Sequence, residues 1–397
     1  MLFLVACSGS QDENGQNERE LKFLHDGYNP FLKASPLGKH LRKIHYKAFL
    51  TQRLRLQEIF FLESRTPLGL GSLDMSSIKI QTLDINEFRS TNPAEKMAFV
   101  EMLGKSFREI GFIVVKGHDI SADLQKKAYD KIDAFYKLPL AEKEKFEVPG
   151  IGGARGYTVF GKEHAKHTNV GDLKEFFHVG VELPADHPMA KTKDYPANVS
   201  VPVVAGFDET LRELFNKLRS LGLELLQAIA LDLKLNENYF TDQVYFGNSI
   251  LRPIHYPPLK GDEHPDAVRS SAHEDINLIT LLIGASYPGL QAKSAAGEWI
   301  PVNAEANQIV VNVGDMLQRL TNHRFVSTTH RVVNPPKDSQ LGDSSRRYSI
   351  PFFVHPVSPM SLKALDNCVS PQNPAKDPPI LAGDYLNQRL REIGLIK

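Results

Sequence analysis

Ser270-Ser271-Ala272-His273-Glu274-Asp275-Ile276-Asn277-Leu278-Ile279-Thr280-Leu281-Leu282-Ile283 is the stretch from which the rest of the chain is read. It opens with His-x-Asp and runs into apolar, β-branched residues, a pattern that predicts a strand. Side chains alternate faces along a strand, so His273 and Asp275 project one way and Glu274 the other. An imidazole and a carboxylate side by side on a rigid element are two-thirds of a two-histidine, one-carboxylate metal site. The triplet alone is not diagnostic. The chain has 14 histidines and carries a second copy at His264-Pro265-Asp266. That copy lies in a polar stretch punctuated by Gly261 and Pro265. Proline removes a ladder hydrogen bond, so a solvated loop is expected there.

The third ligand must come from elsewhere. His330 lies in Phe325-Val326-Ser327-Thr328-Thr329-His330-Arg331-Val332-Val333-Asn334-Pro335, a β-branched run ended by proline. It follows Asp275 at a distance that leaves room for several strands and turns. Two histidines and one carboxylate leave open positions on Fe(II) for a cosubstrate and oxygen. Further on comes Arg346-Arg347-Tyr348-Ser349-Ile350-Pro351-Phe352-Phe353-Val354. Arg347 and Ser349 share a strand face by the same alternation. A guanidinium fork beside a hydroxyl suits a carboxylate.

In this order, His273-x-Asp275, His330 and Arg347-x-Ser349 resemble the Fe(II)/2-oxoglutarate-dependent dioxygenases, in the branch of isopenicillin N synthase. Three more stretches resemble that branch: Ile250-Leu251-Arg252-Pro253-Ile254-His255-Tyr256-Pro257-Pro258, Val313-Gly314-Asp315-Met316-Leu317-Gln318, and Gly111-Phe112-Ile113-Val114-Val115-Lys116-Gly117-His118. The resemblance spans about residues 78 to 357. It implies a mainly β protein with flanking helices, built on a double-stranded β-helix (jelly-roll) core. It implies Fe(II) on His273, Asp275 and His330, and 2-oxoglutarate on Arg347 and Ser349 with help from Tyr256. It also implies O2 as cosubstrate and a small organic molecule that is hydroxylated or desaturated, with release of succinate and CO2. Segments around Arg155, Tyr157 and Lys174 reach the substrate in relatives, which makes these three candidate substrate contacts. One departure is Ile254, where many plant relatives have Asn. In the isopenicillin N synthase type of oxidase, Arg-x-Ser binds the substrate's own carboxylate. A 2-oxoglutarate-independent oxidase, an ethylene- and succinate-forming enzyme and a silent binding scaffold therefore stay open as alternatives.

The totals exclude several other classes. Lys+Arg and Asp+Glu balance at 47 each, which argues against a nucleic-acid partner needing a basic face. No apolar stretch approaches a membrane span. Two cysteines, Cys7 and Cys368, are too few for a disulfide framework and point to a reducing cytoplasm. Oligomeric state is not readable.

Taken in order, residues 1–74 form an N-terminal extension with no resemblance to the family. Leu4-Val5-Ala6-Cys7 looks like a lipidation box, but no Lys or Arg precedes it and the apolar run is short. Polar residues 8–20 predict disorder. The dioxygenase region begins at 75–195. Ser76 to Leu83 predicts a strand. Asn92-Pro93-Ala94-Glu95 predicts a helix start, followed by Phe99, Leu103, Phe107 and Ile110 at helical spacing. Phe112 to Lys116 predicts a strand and Ser121 to Tyr136 a helix. His118 is read as structural. Gly150 to Gly161 predicts a turn-rich loop; it has neither the phosphate-loop ending nor the strand and helix of a dinucleotide site. Residues 196–245 form a connecting region with a long helix from Asp208 to Leu233, its Leu211, Leu214, Leu218, Leu221 and Leu225 facing a core. Residues 246–357 are the β-rich core, and residues 358–397 a tail with a closing helix from Tyr385 to Ile396.

Overall fold

The computed structural model describes residues 79–164, 170–261, 263–336, 345–393 and 395–396. The readings of the N-terminal extension and its lipidation box fall outside the described residues. All the described residues lie within one compact unit, 77–397.

The chain starts with β1 (Gln81–Asp84), then α1 (Pro93–Glu109), β2 (Phe112–Lys116) and α2 (Ala122–Tyr136). β3 (Gly156–Thr158) and β4 (Glu175–Gly180) precede the long α3 (Phe207–Asp232). Short strands follow: β5 (Ile250–Leu251), β6 (Ile254–Tyr256), β7 (Ser270–His273), β8 (Ile279–Ile283), β9 (Leu290–Lys293), β10 (Trp299–Pro301) and β11 (Ile309–Val313). Then come α4 (Asp315–Leu320), β12 (His330–Val332), β13 (Arg347–Val354) and α5 (Ala382–Glu392).

Among the described residues the strands form two sheets. The larger runs β1-β2-β11-β8-β13-β5-β4-β3, with β6 paired to both β13 and β4. The smaller runs β10-β9-β12-β7. This is the jelly-roll core with helices outside it. The N-terminal strands join the same large sheet as β8, β11 and β13, so the 75–195 region is part of the core's framework.

Local chemistry explains the helices. Asn92 caps α1 by accepting from the Ala94 amide, and Pro93 occupies the first turn, where its missing N–H costs nothing. Phe99, Leu103 and Phe107 on its inner face are buried. Ser121 caps α2 through the Leu124 amide. The leucine stripe of α3 is buried along its length. Phe215 on that helix meets Phe352 of β13 edge to face at 5.0 Å between ring centroids.

The 270–283 stretch departs from the single strand expected. It is two strands in different sheets: β7 in the small one and β8 in the large one. The corner between them is held by tertiary bonds. The Asp315 and Met316 amides donate to the carbonyls of Asp275 and Asn277, and Gly314 donates to Leu278. Asn277 donates through Nδ2 to the Ile279 carbonyl and to Thr280. Other boundaries also shift. The first strand begins at Gln81, and the closing helix covers Ala382–Glu392. The glycine-rich loop contains β3, because Tyr157 pairs with Phe177 across β4.

Gly111, with φ +67°, turns α1 into β2, and a Cβ there would meet the Val326 carbonyl oxygen at 2.1 Å. Gly314 lies against the corner: a Cβ there would stand 2.3 Å from the Asn277 carbonyl oxygen. Gly314→Ala is therefore expected to destabilise the fold by about 1–3 kcal/mol through overpacking against backbone. Urea unfolding reads this directly; an unchanged midpoint would show that the corner yields freely.

Candidate active site

Antiparallel pairing of β12 with β7 puts His330 directly opposite His273. Their ring centroids are 4.4 Å apart. Asp275 follows immediately after β7, at the corner, and its Oδ1 lies 3.9 Å from His273 Nε2 and 3.8 Å from His330 Nε2. Among the described residues these three form the one cluster of His, Cys, Asp and Glu side chains arranged to hold a metal ion.

The surroundings fix which atoms face the centre. His273 Nδ1 donates to the Ser271 carbonyl at 2.7 Å, and His330 Nδ1 to the Thr328 carbonyl at 3.1 Å. Both Nε2 lone pairs are thereby left pointing at Asp275. Asp275 Oδ2 accepts from Thr280 Oγ1 at 2.5 Å and Asn312 Nδ2 at 2.8 Å, so Oδ1 is the free oxygen. Burial pushes the Asp275 carboxyl up, but His330, His273 and these two donors outweigh it and hold it below the usual carboxylate range. Burial, then the neighbouring His330, pushes His273 down, toward the neutral imidazole that binds metals. This donor set, two imidazole nitrogens and one carboxylate oxygen with the remaining heteroatoms committed elsewhere, fits a divalent cation of the Fe(II) type.

Arg347 and Ser349 both lie on β13 and are almost fully buried. Tyr256 of β6 is the cross-strand partner of Arg347, and the guanidinium stacks 4.7 Å from its ring centroid. Arg347 Nε donates to the Tyr287 carbonyl at 2.9 Å. Ile254 packs with Phe176, Tyr256 and Val332 in a small apolar cluster, an apolar filling where plant relatives place a polar amide.

A cavity of about 970 Å³ opens beside His273 and Asp275. Lys174 lines it, but its Nζ is already held by Glu163 at 2.7 Å and Asp172 at 2.9 Å. Arg252 lines it too, bonded to Glu163 and, through Nε, to His178 Nε2 at 2.5 Å. Burial works against the Glu163 charge, and Arg252 and Lys174 overcome it and hold its carboxyl well below the ordinary range. His355 also lines the cavity; burial lowers it to about 4, and its Nδ1 has no partner among the described residues.

Of the three candidate substrate contacts, Lys174 is at the cavity. Arg155 lies behind the wall, fully buried, donating to the Ala154 carbonyl and to Asn248 Oδ1. Tyr157 is turned away into the core. Its hydroxyl donates to Glu175, whose oxygens also take Lys143 Nζ at 2.7 Å and meet His255 Nδ1 at 2.6 Å. That buried network accounts for Tyr157 without a substrate. The second triplet, His264 and Asp266, is exposed, as expected of a loop.

The sequence reading missed Thr280, Asn312, Arg252 and His355. A signal existed for two of them: Asn312 and Thr280 are lone polar residues inside the apolar strands β11 and β8.

Known proteins resemble this chain over most of its length. The family model for the N-terminal region of the non-haem dioxygenase in morphine synthesis matches residues 80–202, and that of the 2OG-Fe(II) oxygenase superfamily matches residues 243–356. The 2-oxoglutarate-Fe(II) type oxidoreductase hxnY of Emericella nidulans is 32% identical over 313 residues, covering 77% of this chain and 87% of that protein. A crystal structure of a 2OG-Fe(II) oxygenase family protein from Caulobacter crescentus matches with 39% identity and a TM-score of 0.70, over 79% of this chain and 99% of that one. A full-length Neurospora crassa protein, solved in complex with alpha-KG and thymine, matches with 30% identity and a TM-score of 0.69, over 79% and 96%.

Asn312→Leu removes a donor to Asp275 Oδ2 and leaves the Oδ1 side of the cluster intact. It is expected to weaken divalent-metal binding about 10–100-fold while the protein stays folded. Mn(II) titration followed by calorimetry checks this, and an unchanged affinity would count against the orienting role.

Proposed function

The chain belongs to the 2OG-Fe(II) oxygenase superfamily, and from that premise we propose how its residues divide the work. It is an Fe(II)- and 2-oxoglutarate-dependent oxygenase of small organic molecules. His273, Asp275 and His330 hold the iron. The observation that carries this reading is the convergence of two Nε2 atoms and Asp275 Oδ1, with every other polar atom of the three side chains committed elsewhere. Bound Fe(II), with 2-oxoglutarate and O2, supplies the oxidation, and the cosubstrate leaves as succinate and CO2.

The chain's own part is binding, orientation and exclusion of water. Arg347 and Ser349 receive the far carboxylate of 2-oxoglutarate, and the Tyr256 ring keeps the guanidinium flat against β6. Their burial supports this, because a charge-assisted hydrogen bond gains strength away from water. Phe353, on the same inward row of β13, faces the cavity between that end and His355.

The organic substrate is small, polar and uncharged. Beside the histidines, two cations (Lys174 and Arg252) are balanced by two carboxylates (Glu163 and Asp172), leaving donors and acceptors without net charge. Neutral His355, with its free Nδ1, adds one more polar contact. Thymine, present in the Neurospora crassa complex, is a ring of this kind. The protein works in the cytoplasm, a reading supported by two cysteines in the whole chain and a free, buried Cys368. No helix among the described residues is long and apolar enough to cross a membrane.

Anaerobic titration with Fe(II) and then 2-oxoglutarate is expected to give the visible charge-transfer band of a chelated keto acid. Asp275→Ala and His330→Ala are each expected to abolish Fe(II) binding with the fold retained; full binding in both would refute the assignment. In a substrate screen, succinate release is expected to rise with small neutral heterocycles bearing amide-like groups. Stimulation by carboxylate-bearing compounds alone would overturn the uncharged-substrate reading.

A further inference from the structure

A second buried arginine lies beside Arg347. Arg269 directly precedes β7, whose pairing with β12 shifts register by one residue between Ser270 and His273. Its backbone is clamped: the Arg269 amide donates to Asn334 Oδ1 at 3.0 Å, and Asn334 Nδ2 donates to the Ala267 carbonyl at 2.9 Å. Its side chain is fully buried. Tyr287 joins the two cations. Its ring centroid is 5.5 Å from the Arg269 guanidinium carbon, and its carbonyl takes Arg347 Nε.

The hydrogen-bond account of this pair does not close. Arg269 Nη2 donates to the Ser345 carbonyl, but Arg269 Nε and Nη1 and Arg347 Nη1 have no partner among the described residues. Neither guanidinium has a carboxylate partner there. Burial, with Arg347 next, lowers Arg269 to about 10, so it still carries its charge at neutral pH. Two neighbouring buried cations with unmade hydrogen bonds are costly, and an anion set between them removes both the repulsion and the unsatisfied donors.

We propose that Arg269 is a second anchor for the far carboxylate of 2-oxoglutarate, so that this carboxylate sits between two guanidiniums. The inference rests on the 2-oxoglutarate reading above. Its consequence is selectivity: the site demands a 2-oxo acid with a second carboxylate, and a 2-oxo monoacid leaves two cations facing each other.

The test is calorimetric binding of 2-oxoglutarate and of 2-oxopentanoate, which lacks the far carboxylate, to the Mn(II)-loaded full-length protein. Arg269→Met is expected to weaken 2-oxoglutarate binding about 10–100-fold, the loss of a charge-assisted hydrogen bond. Binding of 2-oxopentanoate should change little or improve, so that the selectivity ratio collapses. A packing role alone would weaken both ligands equally, and that result overturns the proposal, as does unchanged 2-oxoglutarate binding. Should Arg269→Met fail to fold, Arg269→Lys carries the same test: a several-fold loss for 2-oxoglutarate alone is expected, and an equal change for both ligands overturns it. Arg347→Met separates the two levels. If wild-type protein binds 2-oxoglutarate and Arg347→Met does not, the underlying reading stands whatever Arg269 does. If wild-type protein fails to bind 2-oxoglutarate, both fall.

Discussion

Asp275 has two oxygens, and the fold treats them oppositely. Oδ2 is fixed to the large sheet through Thr280 of β8 and Asn312 of β11. Oδ1 faces the paired histidines of the small sheet. The carboxylate thus stands between the two sheets, and the corner that carries it must leave one sheet and enter the other within five residues. That geometry imposes the rest. The corner is bonded to the start of α4, which requires glycine at 314 for close approach. The register of β12 on β7 must bring His330 opposite His273. A one-residue slip would turn the imidazole to the other face of the sheet.

Buried charge follows a consistent pattern around this centre. Lys143 meets Glu175, Lys174 meets Asp172 and Glu163, and Arg252 meets Glu163. Arg155 has no carboxylate among the described residues, but two of its nitrogens donate to neutral acceptors. Burial of a charge is tolerated where a partner or several hydrogen bonds replace water. Arg269 and Arg347 depart from that pattern together: two cations that share Tyr287 and keep open donors. One orphaned nitrogen, as in Arg155, is a local packing detail. Several on neighbouring like charges mark the place where an anion completes the structure.

The helices were legible in the sequence because local chemistry decides them: the Asn92 cap, the Ser121 cap and the leucine stripe of α3 each follow from nearest neighbours. The grouping of His273, Asp275 and His330 was legible because its order and residue types are unusual in combination. The break after His273 was not. Ile276-Asn277-Leu278-Ile279 reads as a continuation of the strand, and the corner is made by amides of α4 about forty residues away. Tyr157 was misjudged for a similar reason. Its segment borders the cavity, but whether a side chain faces the cavity or the core depends on the β3–β4 register, which pairs it with Phe177. Arg269 was not legible, because strict alternation back from His273 fails where β7 shifts register on β12 between Ser270 and His273.

The charge layout also separates the two organic molecules the site must hold. Both have to approach the same His-Asp-His cluster, and a polar cavity by itself would admit either at either end. The inner region around β6 and β13 carries the open donors of Arg269 and Arg347 beside the apolar cluster of Ile254, Tyr256 and Val332. The outer cavity is polar and charge-balanced near the histidines. A dianion placed in the outer cavity gives up two buried guanidiniums and meets Glu163 and Asp172. An uncharged molecule placed at the inner end leaves those guanidiniums unpaired. Each misplacement costs several charge-assisted hydrogen bonds, each about 1.5–3 kcal/mol. On this reading the fold sorts cosubstrate from substrate by where it compensates its own charges, and Asp275 stands at the boundary between the two regions.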